Sequence, residues 1–382
     1  MGQRMKVTEK GLVFDVTGRT ESEQVTFFGS LFKLKNGDWL SGYTIGCKKH
    51  DPNGTIRWSR SRDVGKTWTE VPFRCETKFQ GVRGSLAGAE FVETVTGKLL
   101  LFSTWFDRTD PERPLFDPVT EGILHSKLLV AESNDHGETF GPFREIPTPG
   151  LTGTAMCGPP LLWSDGSIGH PFESFKHYDD PNPASHAAWL IVSRDGGRTF
   201  PERYLVGEDP QHSIFYWDER LIPTKTPGEY VGLFWTHNRS AQKDLNVHFQ
   251  VSSIADSDHE RMTPVDTKIP GQISSPLLLA DGRILAFVVD RDKPGTMKLW
   301  QSTDQGKTWP AADALTVHVH EEQNVLPNQK ERVDFAEYWE NMVKWSFGHP
   351  AAQLIDDHTA LLVYYAGPPN HLSMHWARVE LG

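Results

Sequence analysis

The chain has 382 residues, a formal net charge of −11, and 37% hydrophobic and 11% aromatic residues. That supplies apolar surface for a large core of β-flavoured composition, and the acidic balance speaks against a nucleic-acid partner, whose phosphates want the opposite charge. No basic run and no apolar stretch of bilayer length occurs, so no membrane partner is expected either.

Residues 1–11 carry charge without an apolar run, which reads as no signal peptide and a cytoplasmic location. Lys6 to Val16 then reads as a strand. A first unit begins near Thr26, turns at Asn36-Gly37 within SLFKLKNGDWL, and ends in the octapeptide Ser61 to Trp68. A second begins near Arg83, turns at Thr96-Gly97 and carries the octapeptide Ser133 to Phe140. A third starts near Thr154, turns at Asp165-Gly166 and reaches the octapeptide Ser193 to Phe200. The fourth, from Gln211, turns at Pro227-Gly228 and holds only a degenerate remnant around Ser252 to Asp258. The fifth, from Gly271, turns at Asp281-Gly282 and carries the octapeptide Ser302 to Trp309. The sixth, from Phe347, turns at Asp356-Asp357 and is short after Arg378, so the N-terminal strand is expected to complete it.

Each complete octapeptide reads Ser-x-Asp-x-Gly-x-Thr-aromatic, and four copies match without a mismatch. On average residue usage one full match is roughly a one-in-a-million event per start site, so the repeat is real. Its physics is a hairpin turn. Asp accepts bonds from its own loop backbone, Gly takes the positive-φ position, and the aromatic anchors the turn. Six units of four antiparallel strands, A to D, make an all-β six-bladed β-propeller, one domain over residues 1–382. Cys47, Cys75 and Cys157 are odd in number and form no CxxC, so free thiols are expected.

Alternating strand direction puts the A–B and C–D hairpins, with the octapeptides, on one face. The other face is built from strand-A starts and B-to-C connections. The connections supply Lys48, Lys49, His50 and Asp51, then Asp107 and Arg108, then Glu173, His177, Tyr178 and Asp179. Later ones supply His237, Asn238 and Arg239, then Asp290, Arg291 and Asp292, then Tyr364 and Tyr365. The strand-A starts add Arg83, His212, Gln272 and His349. This polar, aromatic rim suits a polyhydroxylated anionic ligand, with Arg binding a carboxylate in two-pronged fashion.

The octapeptide is similar to the Asp-box, or BNR repeat, of the sialidase (neuraminidase) superfamily, and the resemblance spans nearly the whole chain as a scaffold. It implies a glycan ligand, three arginines on the substrate carboxylate, a Tyr nucleophile paired with Glu, and a loop Asp as acid/base. Asp51 matches the loop Asp, and Arg239 and Arg291 match two clamp arginines. Three features depart: Phe27 or Phe28 stands in place of the first Arg, Gly348 and His349 in place of the Tyr, and His212, Ser213 and Ile214 where the Glu would be. Ordinary sialidase chemistry is therefore not expected.

The expected catalytic set is Asp51, His349, His212 and His237. The expected binding set is Arg239, Arg291, Arg108, Arg83, His50, Glu173, His177, Gln272 and Tyr365, with the Arg239 and Arg291 guanidinium groups leaning toward one point. Asp51 with a His could hydrolyse a glycosidic bond of an acidic glycan. The same His, with the arginines neutralising a uronate, could instead eliminate, and a non-catalytic glycan binder is a third reading. No cofactor is expected, and no HxH or HExxH spacing points to a metal. The partner is an oligosaccharide or small molecule. Oligomeric state is not legible.

Overall fold

In the computed structural model, which describes residues 4–255, 264–321, 342 and 344–382, six antiparallel sheets of four or five strands make a six-bladed β-propeller. The A strands run Val25–Phe27, Gly84–Glu93, Gly153–Met156, Ile214–Pro223, Ser274–Leu278 and Phe347–Asp356, each within three residues of a unit start read from the sequence. Lys6–Phe14 pairs antiparallel with Ser373–Glu380 and becomes the outer strand of blade six. The first and last strands thus close the ring, which removes two sheet edges at once.

The sequence dictates the turns. Gly37, Gly97, Gly166, Gly228 and Gly282 sit at φ between +79° and +92°, the conformation a tight A–B hairpin requires. In the first octapeptide Asp63 Oδ1 accepts Thr67 N at 2.8 Å, Oδ2 accepts the Thr67 hydroxyl at 2.6 Å, and Ser61 Oγ accepts Gly65 N at 2.8 Å. The other three repeat this net around Asp135, Asp195 and Asp304. Packing between blades is apolar and aromatic, as in the Trp58, Phe91 and Phe140 group between blades one and two. The remnant Ser252 to Asp258 lies partly outside the described residues. Among those described, no helix is long and apolar enough to cross a membrane, and the cysteines are free.

One irregularity positions the site. In blades two, four and six the A strand carries a one-residue bulge at the same place, between Ala87 and Glu90, Trp217 and Arg220, and Gly348 and Ala351. The first inserted residue is left-handed each time: Gly88 at φ +73°, Asp218 at +46° and His349 at +53°. A bulge re-aims the side chains around it, and here Gly88, Asp218 and His349 all line one central cavity.

Candidate active site

The bulges feed a central cavity of about 1010 Å³, counting the part open to solvent, and no octapeptide residue lines it. Phe28, Phe116, Phe175, Trp217, Trp235 and Trp345 form much of its wall. Set into that wall are the carboxyls Glu90, Glu173 and Asp218, the cations Lys49 and Arg291, and the rings of His349 and Tyr365.

Arg220 lies buried at the axis and organises the carboxyls. Its Nη2 is 2.7 Å from His349 Nε2 and 3.6 Å from Asp218 Oδ1, and Nη1 is 3.9 Å from Glu90 Oε1. An arginine has only donors, so His349 Nε2 accepts and the ring is neutral. Burial, then the charges of Arg220 and Arg291, hold its pKa well below the usual range.

Glu173 Oε1 accepts the backbone N–H of Asp218, which ties the Glu173 carboxyl to the blade-four bulge across the blade three–four boundary. Both are pushed up, chiefly by burial; for Asp218 the Glu173 charge adds to this, while Arg220 opposes it. Burial likewise raises Glu90 to about 8, against the opposing pull of Arg220. Charge is costly in a dry, aromatic-walled space, so protons stay on the carboxyls into the neutral range.

Arg291, 1% exposed, stacks its guanidinium 4.1 Å from the Trp345 ring centroid. Its backbone N–H donates to Gln272 Oε1 at 3.2 Å, and Nη2 lies 3.5 Å from Phe347 O. Nε and Nη1 have no hydrogen-bond partner among the described residues. Lys49 donates to Trp345 O and, at 2.8 Å, to the Tyr365 hydroxyl, while burial drives its pKa well down.

Of the residues expected from sequence, His349, His50, Glu173, Arg291 and Tyr365 line this cavity. Asp51 does not. It caps its own loop, accepting Cys47 N and Asn53 N at 2.8 Å each, beside a smaller pocket it shares with Arg108. Burial tends to raise its pKa, but those bonds prevail and hold it below the usual carboxylate range. Arg108 is spent on Ser85 Oγ and the carbonyls of His50 and Arg113. Arg83 is exposed and bonds Asn53 at 2.7 Å.

His237 stacks on Trp217 with ring centroids 4.8 Å apart and faces Asp244 at 3.1 Å, behind the cavity wall. Gln272 bridges Arg291 N and Asp244. His212 and His177 stay in their own loops, outside the cavity lining. The expected convergence of Arg239 with Arg291 is not found, because Arg239 pairs with Glu121, a carboxylate supplied by blade two. Two guanidinium groups sharing one point without an anion would repel; Arg239 lies on Glu121 and Arg291 on the Trp345 ring.

Sequence reasoning missed Glu90, Asp218 and Arg220, which lie inside A strands rather than at their starts. A signal existed: Asp-Glu-Arg interrupts the apolar run SIFYW…LIP, and charges inside a buried strand need a reason. Among the described residues no cluster of three or more His, Cys, Asp or Glu is placed to hold a metal ion.

Comparison with solved structures places the architecture. A Dyadobacter fermentans protein of unknown function superposes with TM-score 0.70 at 18% identity, covering 99% of each chain. A Hadza microbial sialidase gives 0.64 at 15% identity, covering 96% of this chain and 68% of the sialidase. An α-L-arabinanase of Penicillium chrysogenum, solved with arabinobiose, gives 0.62 at 14% identity over 97% and 98%. The chain has the sialidase-like propeller fold. At these identities the likeness is one of fold, and no family model and no curated protein matches the sequence. The cavity of this sialidase-like propeller has its own furniture, with Gly348 and His349 opening blade six and Asp218 in the blade-four bulge.

Proposed function

We propose that the protein is a glycoside hydrolase acting on a carboxylate-bearing sugar in the central cavity. The observation that carries this reading is that Glu173, buried, and Asp218, partly buried, line one cavity with raised pKa values, the Glu173 carboxyl resting on the Asp218 backbone N–H, and that the cavity also holds Arg291. Glu173, protonated near neutral pH, donates its proton to the leaving glycosidic oxygen. Asp218, the one beside Arg220, ionises and takes a proton from the water that attacks the anomeric carbon, so one water is consumed per bond cut. Arg291, which lines the cavity, supplies positive charge for a sugar carboxylate, and the aromatic wall packs against ring faces.

The fold likeness to sialidases and an arabinanase supports a glycan as the substrate class. The elimination reading needs His349 or His212 as base; Arg220 occupies Nε2 of the first, and the second is outside the cavity lining. With glycine and histidine where the sialidase nucleophile would stand, simple α-sialosides should turn over negligibly. The test is incubation with sialosides, uronate oligosaccharides and plant or bacterial glycans, followed by mass detection. Products heavier by one water support the reading, near-ultraviolet-absorbing unsaturated products point to a lyase, and binding without turnover points to a glycan-binding propeller.

A further inference from the structure

The connection from strand B to strand C of blade two, residues 109–125, is folded into a short hairpin of its own. Leu124 N donates to Leu115 O at 3.0 Å, Asp117 N to Gly122 O at 2.9 Å, and Phe116 and Ile123 form an antiparallel bridge. Its apolar underside is Leu115, Phe116 and Ile123, all of which line the central cavity. The hairpin is therefore a strap across the site, and its tip is tied at two places. On the blade-three side Ile123 N donates to Lys176 O at 3.1 Å and the Thr120 hydroxyl to Tyr178 O. On the blade-four side the tie between described side chains is the Glu121–Arg239 ion pair, 21% and 28% exposed.

These two ties differ in kind. The blade-three tie rests on backbone carbonyls and a ring contact, Phe116 against Phe175 at 5.3 Å, with one exposed ion pair, Arg113–Asp179 at 3.5 Å, beside them. The blade-four tie joins two long, half-wet side chains, and such pairs are weak and sensitive to salt. We infer that Glu121–Arg239 is a latch: the strap swings on its blade-three side when this pair breaks, and ligand enters the cavity there. Arg239 on this view governs access rather than gripping ligand. The inference concerns entry and stands apart from the chemistry proposed for the carboxyl pair.

Cys157 gives a readout that needs no substrate, because it is buried and lines the same cavity. In protein with Cys47 and Cys75 changed to serine, methyl methanethiosulfonate reports entry. The Cys157 thiolate attacks the reagent's divalent sulfur, forms a mixed disulfide and expels methanesulfinate. Modification should be faster in Glu121→Gln and in Arg239→Gln, each by about threefold or more for loss of a half-exposed pair. The double variant should be no faster than the quicker single, since both changes break one interaction. Added salt should speed the parent protein by a larger factor than the variants, which keep the Arg113–Asp179 pair between the strap and blade three.

Equal rates in parent and variants, or fully additive gains in the double variant, would overturn the latch. So would a steep rise of the rate with dilute urea, because that marks global unfolding rather than a local swing. Failure of the latch leaves the hydrolase reading intact, since labelling measures entry and not turnover.

Discussion

Asp218 and His349 occupy the same bulge position in blades four and six, and Asp218 Oδ1 lies 3.8 Å from His349 Nε2 at the propeller axis. Gly88 holds the third equivalent place, so one backbone device delivers a carboxyl, an imidazole and an open space to a single cavity. The left-handed backbone at Asp218 is one that Asn also tolerates. That makes Asp218→Asn a replacement that tests the carboxyl with the least disturbance of the bulge.

Activity should fall about a hundredfold or more in Asp218→Asn and in Glu173→Gln, the scale at which a positioned acid or base acts. The pH profile should follow from burial. Asp218 must be ionised, so activity climbs as pH rises through its raised pKa; Glu173 must be protonated, and its own raised pKa keeps it so toward neutrality. The optimum should stand near neutral rather than at about pH 4–5, where ordinary carboxyls titrate. Initial rates across pH decide this, and an optimum below about pH 5 rules out the assignment of roles.

Gly348 is where Arg291 finds its room. A Cβ there would lie 2.4 Å from Arg291 Nη2, and φ is +140°. Gly348→Ala should displace the guanidinium and cost about 1–3 kcal/mol of stability from backbone strain. Like Arg291→Ala, it should weaken an acidic ligand about tenfold or more, with much less effect on the esterified or reduced analogue. Calorimetric titration of both ligands reads this directly, and equal losses for the two would remove Arg291 from the carboxylate site.

The blade count, the unit starts and the facing of the octapeptides were legible because turn chemistry repeats in the chain: Asn-Gly, Asp-Gly and Ser-x-Asp-x-Gly each fix a local backbone. Arg291, Tyr365 and Glu173 line the cavity as read from the sequence because they follow or end B strands, where it opens. Asp218, Arg220 and Glu90 were hidden by a register effect. One inserted residue reverses which side chains face the axis, and nothing local in YWDERL announces a bulge. Asp51 was misplaced for a simpler reason, that a loop Asp two residues before an Asn-Gly is also a good cap for its own turn.

Glu90 should make the protein sensitive to alkali. Its pKa is raised from an ordinary carboxyl value to about 8, so its contribution to stability is whole below about pH 4.5 and is lost as pH rises through about 8. The loss runs at up to about 1.4 kcal/mol per pH unit in that window. Glu90→Gln, which cannot ionise, should match the parent protein in acid and exceed it in melting temperature at about pH 8–9. Melting curves at several pH values are the measurement, and parallel alkaline decline in both proteins contradicts the assignment.

His170 should set the opposite limit. It is fully buried in blade three, stacked 4.4 Å from Phe102, with neither ring nitrogen hydrogen-bonded among the described residues. Burial lowers its pKa to about 3. A histidine kept neutral by the fold contributes stability that is whole above about 6.5 and is lost as pH falls toward about 3, because the unfolded chain binds the proton first. His170→Phe keeps the stacking and deletes both the unsatisfied nitrogens and the titration. The variant should be at least as stable as the parent at pH 7, and its advantage should widen steadily as pH is lowered from about 6.5 to 4. Glu90 changes stability in the opposite sense over about pH 4.5–8, so each variant is compared with the parent protein at the same pH. Urea unfolding at pH 7, 5.5 and 4.5 reads the difference as a shift in midpoint at constant slope. A midpoint difference that stays flat across those pH values would show that His170 does not titrate on unfolding.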